Sequence, residues 1–220
     1  CYNKKSQRFF EGGYKMRTKN ACMLLLTAFI WGTAFVAQSV GMDYLEPFTF
    51  NGVRCLIGAI ALLPCIWFFN RGKEKENKVN DENAKRDLIK GGIACGILLF
   101  AASSLQQIGL VYTAAGKAGF ITAFYIVLVP VFGIFLHKNI GWKVWTAVAI
   151  ALAGLYFLCI TEAFTIGVGD IYVFLCALIF SVHILVVDYY SPKVDGVKLS
   201  CIQFLVAGIV SIPFMLILES

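Results

Sequence analysis

Between residues 21 and 218 the chain alternates apolar runs with short charged segments. The runs, 21–40, 48–69, 91–112, 117–136, 142–160, 170–189 and 199–218, are 19 to 22 residues long. That is the length a helix rising 1.5 Å per residue needs to cross about 30 Å of hydrocarbon. Strands with open edges would leave peptide groups unpaired in lipid, so the runs predict helices. Of the 220 residues 59% are hydrophobic and 15% charged, with mean hydropathy +0.77. A water-soluble core of this size could not hide so much apolar surface. The expected fold class is an all-α integral membrane protein of about seven transmembrane helices, with the lipid bilayer as its partner.

Lys and Arg set the orientation. Six precede the first run and seven lie in 70–90; HKNIGWK holds Lys138 and Lys143, and SPKVDGVK holds Lys193 and Lys198, so 17 of the 19 share one side. The opposite loops, around Asp43 and Glu46 and around Glu162, have none. The positive-inside rule then predicts a multi-pass protein of the cell membrane with a cytoplasmic N-terminus and a cytoplasmic tail over residues 1–20. The net charge of +6 comes from residues flanking apolar runs, not from a basic surface interleaved with aromatics, so no nucleic-acid partner is expected. The first run is full length and lacks a small-residue cleavage pattern, which predicts an uncleaved anchor. Met16 stands just ahead of it, so residues 1–15 read as upstream or extraneous sequence. The eight cysteines contain no Cys-x-x-Cys and lie mostly within apolar runs, as free thiols do.

Slid against itself by 149 residues, the chain shows an ungapped repeat: TAFIWGTA (27–34) falls on CALIFSVH (176–183), and RCLIGAIALLP (54–64) on QFLVAGIVSIP (203–213). Trp31 meets Phe180, Gly32 meets Ser181, and Pro64 meets Pro213. A five-helix unit has an odd number of spans, so its second copy enters the membrane from the opposite side. Inverted repeats mark transporters that work by alternating access, with substrate held near the midplane. The expected domains are a first repeat over 21–160 and an incomplete second one over 161–220.

The runs LLLTAFIWGTAFVAQSVGMDYLEPFTFNGVRCLIGAIALLP, QQIGLVYTAAGKAGFITAFYIVLVP and KVWTAVAIALAGLYFLC resemble the drug/metabolite transporter superfamily, in particular its EamA-type ten-helix members. The resemblance covers residues 21–218 and implies a five-plus-five helix bundle, truncated here to about seven helices. It implies a secondary transporter of small metabolites or drug-like solutes, an amino acid or other small organic ion among them. Many relatives carry a Glu just after the fourth helix, where this chain has HKNIG with Lys138; no role of that Glu carries over.

Polar side chains in a span are costly unless they face protein or water, so their helical faces trace a substrate path. In span 1, Trp31 and Gln38 share a stripe; Phe180 and His183 hold the equivalent stripe of span 6. Trp31 lies near the midplane, where tryptophan is unusual. We expect Trp31 and Phe180 as opposed walls of one site, with packing in the helix core as the alternative. Asn51 and Arg54 share a face of span 2, matched by Gln203 in span 7. A central arginine costs about 2.5–3.5 kcal/mol on insertion scales; Arg54 reads either as an anchor snorkelling toward Asp43 or Glu46, or as a receptor for an anionic substrate group. Lys117 in TAAGKAG begins span 4 beside free helical N–H groups, a place that suits a carboxylate or phosphate, or is simply exposed in an outer turn. Gln106 and Gln107 make span 3 the most polar. Tyr125 lies one turn from Thr122 on span 4, which Pro130 should bend by freeing the carbonyl of Ile126. His183 is the candidate carrier of a coupling proton, or else a helix-bridging hydrogen-bond donor. Gly91, Gly92 and Gly96 suit close helix packing, and Trp142 and Trp145 an aromatic belt.

No cofactor or metal is expected, and the absence of GxxxxGK[ST] rules out direct ATP drive by this segment. A seven-helix receptor has its N-terminus outside, against the charge count, and a retinal protein needs a Lys in its last helix, where 199–218 has none. A membrane enzyme would need a nucleophile with a base or a metal cluster. The two histidines, His137 and His183, lie apart, and neither HExxH nor GxSxG occurs.

Overall fold

The computed structural model describes residues 4–73, 82–135, 141–159 and 167–219. His137, Lys138, Glu162 and part of the charged loop 70–90 lie outside them. Eight helices follow in order: α1 Lys4–Gly41, α2 Pro47–Lys73, α3 Glu82–Tyr112, α4 Ala115–Ala123, α5 Tyr125–Phe135, α6 Trp142–Cys159, α7 Val168–Tyr190 and α8 Gly196–Leu218. The described residues contain no strand. The protein is an all-α membrane bundle, and among the described residues six helical segments are long and apolar enough to span: 20–41, 47–68, 82–112, 115–135, 168–190 and 196–218.

The remaining expected span, 142–160, is present as α6, whose described apolar stretch Val144–Gly154 is shorter than a span. Span 4 differs more. It is broken at Phe124, where the chain tightens into an i→i+3 bond from Phe124 N–H to Ile121 O at 3.1 Å. Pro130, expected to bend the span at its own missing bond, lies inside an unbroken α5. The proline ring crowds the preceding turn, and the chain yields one turn earlier, where a tighter bond is available.

α3 lies against both α7 and α8, and α8 against α2, so these four helices form the centre. Small residues let them approach. A Cβ on Gly96 would stand 2.6 Å from Val206 Cβ and 2.9 Å from the Gln203 carbonyl oxygen on α8. At one end of α3 Gly91 meets the Tyr190 ring of α7, and at the other Gly109 and Gly169 meet backbone to backbone. The glycines of span 3 are therefore packing residues. A cluster of Cys55, Phe100 and Ala207 joins α2, α3 and α8, lined by the Phe48, Phe100 and Phe214 rings at centroid distances of 4.9–6.3 Å. A second cluster, Leu110, Ala118 and Val173, receives Phe35 of α1 and Met42 in the turn just past its end. α1 packs on α3 and α4, while its side chains from Asn20 to Thr33 are exposed.

Candidate functional site

The polarity of the bundle is turned inside out. Leu24, Leu25, Ile150 and Ile217 are largely exposed, whereas Asn51 and Gln107 are wholly enclosed and Ser103, Thr122 and Ser211 nearly so. Aliphatic side chains outside and amides inside are what a hydrocarbon solvent selects.

The densest polar cluster joins α1, α2 and α3. Arg54, roughly 10 Å along α2 from Pro47, does not snorkel to Asp43 or Glu46. Its Nη1 donates to Gln38 Oε1 at 2.5 Å and its Nη2 to Asn51 Oδ1 at 3.1 Å, with the guanidinium 5.8 Å from the Phe50 ring centroid. Gln38 sits just short of the end of α1 and Asn51 one turn before Arg54, so both amides lie nearer than the exposed carboxylates. Asn51 Nδ2 in turn donates to Ser104 Oγ at 3.2 Å. Gln107 Nε2 donates to the same Gln38 Oε1, which thus accepts from both α2 and α3. Two features stand out chemically. Every hydrogen-bond acceptor that Arg54 reaches among the described residues is a neutral amide, and Gln107 Oε1 is buried with no donor among them. A cation without a carboxylate and an acceptor without a donor stand on either side of one shared oxygen.

Gln106 turns the other way, its Nε2 donating to Thr122 Oγ1 of α4 at 3.1 Å. Tyr125, half-buried, opens α5 on the far side of the Phe124 break. His183 is buried on α7, its Nε2 3.1 Å from Gln203 Oε1 of α8, and the half-buried Phe180 ring stands edge-on to the imidazole at 6.2 Å. Residues 54 and 203, equivalent in the 149-residue repeat, therefore each bond back to the preceding helix, one to Gln38 and the other to His183. Trp31 shares the stripe of Phe35, Gln38 and Met42 but is 48% exposed, and Gly32 faces open space.

Lys117 is neither exposed in an outer turn nor open to a ligand carboxylate, because Asp170 has taken that place. Its Nζ lies 2.6 Å from Asp170 Oδ2. Asp170 Oδ1 accepts from Thr113 Oγ1 at 3.1 Å, and Oδ2 also from Gly167 N–H at 2.8 Å, a first-turn acid reaching back to its own helix start. Sequence reasoning missed Asp170, though an acid three residues after Gly167 is a legible helix-start signal. It also missed Glu219, whose carboxylate accepts from Phe48 N at 2.5 Å, Thr49 N at 2.8 Å and Thr49 Oγ1 at 2.7 Å. Nothing in the sequence pairs residue 219 with the start of α2; the tertiary fold does.

Long apolar helices with lipid-facing aliphatics around buried amides define a polytopic membrane protein. Residues 18–160 match the model of the EamA-like transporter family, and the chain belongs to that family. It is also 34% identical over 194 residues to an uncharacterized transporter of Archaeoglobus fulgidus, a stretch that covers 87% of this chain and 56% of the relative. The chain thus spans little more than half the length of that relative. No solved structure matches.

Proposed function

We propose that this membrane transporter carries a small metabolite bearing a carboxylate, a zwitterion such as an amino acid or a related organic anion, across the cell membrane by alternating access. The observation behind this reading is the Arg54 cluster. A guanidinium inside a span whose hydrogen-bond partners among the described residues are the neutral amides of Gln38 and Asn51 meets no carboxylate there. A substrate carboxylate would complete it with a bidentate, charge-assisted pair. Gln107 Oε1, lacking a donor and one shared partner away, would receive the ammonium of a zwitterion. Asn51 and Gln38 then orient the guanidinium; Gln106, Tyr125 and Trp31 line the approach; and the His183–Gln203 pair with Phe180 does the equivalent work in the second repeat, His183 carrying the coupling proton.

In this reading residues 21–160 form the first five-helix repeat and 161–220 open the second, the N-terminus is cytoplasmic, and the protein performs no chemistry on its cargo. The paired bonds at positions 54 and 203 support the repeat. The test is counterflow of labelled amino acids and small organic acids in vesicles. Arg54→Gln, the residue that the repeat has at 203, should abolish exchange of carboxylate-bearing solutes, while Arg54→Lys retains a fraction. Undiminished exchange by a well-inserted Arg54→Gln protein would refute the assignment.

A further inference from the structure

The repeat recurs in the contacts between helices. A Cβ on Gly52 of α2 would stand 3.9 Å from the carbonyl oxygen of Gly208 on α8, and Cys201 Sγ of α8 lies 3.6 Å from the carbonyl oxygen of Ala59 on α2. Positions 52 and 201 are equivalent under the 149-residue shift, and so are 59 and 208. The second contact is therefore the first with the two helices exchanged. Gly58 against Phe204 and Cys55 with Ala207 form another such pair, because 55 answers to 204 and 58 to 207. An antiparallel pair of helices whose contacts recur in this way has a pseudo-two-fold axis through its interface, the symmetry of an inverted repeat.

On one side of that axis α3 continues the interface. α7 and α8 pack closely on α3 and not on each other. A Cβ on Gly92 would strike Ile202 of α8, one on Gly96 Val206, and one on Gly109 Val173 of α7, so the three glycines let α3 into the angle between those helices. On the other side, the residues equivalent to Ile202, Val206 and Val173 are Val53, Ile57 and Leu24. These are 47%, 61% and 71% exposed, whereas Val173 is wholly buried and Ile202 and Val206 are half-buried. α1 and α2, like α7 and α8, do not pack closely on each other.

We infer that the angle between α1 and α2 is the seat of the third helix of the second repeat, a segment of the full protein beyond Ser220, docked there as α3 docks between α7 and α8. An apolar surface in a bilayer suits lipid or another helix; the recurring contacts choose the helix, since the same positions on α7 and α8 take one. The relative from Archaeoglobus fulgidus has chain enough for it, because the matched stretch covers 56% of its length. Small residues are required 149 positions after Gly92, Gly96 and Gly109, for the reason they are required in α3. Trp31, two turns beyond Leu24 on the same face of α1, comes under the same cover. The inference rests on the repeat in the proposed function and not on its cargo, so cross-links test the one and counterflow the other.

The test is disulfide cross-linking of the full gene product in its membrane, in a background without other cysteines. A protease site inserted in the segment 70–90 cuts the chain, and a cross-link across the cut keeps both fragments at full-length mobility on a non-reducing gel. Gly52→Cys/Ser211→Cys, whose Cβ atoms would lie 3.0 Å apart, is the positive control. Leu24→Cys with a cysteine 149 positions after Gly109, and Val53→Cys with one 149 positions after Gly92, should link as completely as the control. The crossed pairings, separated by about 25 Å along the docked helix, should not link. Absence of linkage in both matched pairs while the control links would overturn the inference, as would crossed pairs that link as well as matched ones. A gene product that ends at Ser220, or bulky residues at the three small positions, would also overturn it. Chains joined to each other through Leu24→Cys alone would make a second copy the occupant and overturn it too.

Discussion

Replacing Asp170 with Asn tests whether the Lys117–Asp170 pair fastens α7 to the α3–α4 turn. The carboxylate receives Lys117 Nζ at 2.6 Å, Gly167 N–H at 2.8 Å and Thr113 Oγ1 at 3.1 Å, and the two charged side chains are only 8% and 24% exposed. Removing one member of a buried pair strands the other charge and costs about 3–5 kcal/mol in a dry interior. Lys117 keeps part of its surface, so hydration of its ammonium recovers some of this and about 2–3 kcal/mol remains. The amide also turns an NH2 toward donors on at least one side, so Thr113, Gly167 and Lys117 cannot all be satisfied. In a bundle of this size that loss lowers the melting temperature by roughly 5–10 °C. The assay is thermal unfolding in detergent, run as a double-mutant cycle with Lys117→Met, which removes the cation while keeping most of its stem. Asp170→Asn and Lys117→Met should each destabilise, and the double variant should lie well above their sum. An Asp170→Asn protein that melts with the unaltered one, or a cycle with no coupling, would refute the reasoning and leave the pair a contact without energetic weight.

Other substitutions separate packing from carriage. Gly96→Leu should prevent α3 from seating on α8, because even a Cβ there would lie 2.6 Å from Val206 Cβ and 2.9 Å from the Gln203 carbonyl oxygen; loss of a monodisperse peak in size-exclusion chromatography is the expected result. Gln107→Leu replaces a buried amide whose Oε1 lacks a donor, so stability should hold or rise by about 1 kcal/mol while exchange of zwitterions in vesicles is lost. Glu219→Gln keeps two acceptor sites' worth of shape but not the charge at the start of α2; destabilisation of about 1 kcal/mol in the same melts is expected from the weakened interaction with the helix dipole.

Some of this was legible from the sequence because it is local. Span length, the inward stripes and the small residues of α3 depend on counting along one helix, and Gln38, Asn51, Gln107 and His183 are buried where helical spacing put them. Partners were not legible. Arg54 reads from sequence either toward the acids of the α1–α2 loop or toward an anionic substrate group, and the partners it takes in the fold are Gln38 and Asn51. Lys117 reads as an open cation, yet Asp170, more than fifty residues on, holds it. Trp31 belongs to the inward stripe but stands beyond the reach of α3 and α4, which pack against later turns of α1.

By itself, then, the sequence determined that this chain lives in a bilayer as a helical bundle, which faces of its helices carry polar groups, and its resemblance to EamA-type transporters, because solvent selection by hydrocarbon acts residue by residue along each helix. Only the tertiary structure decided what those groups do once inside. It set an amide rather than a carboxylate beside Arg54, a carboxylate beside Lys117, and Glu219 at the start of α2, because a buried group's free energy depends on the side chain that a distant helix brings within hydrogen-bond reach.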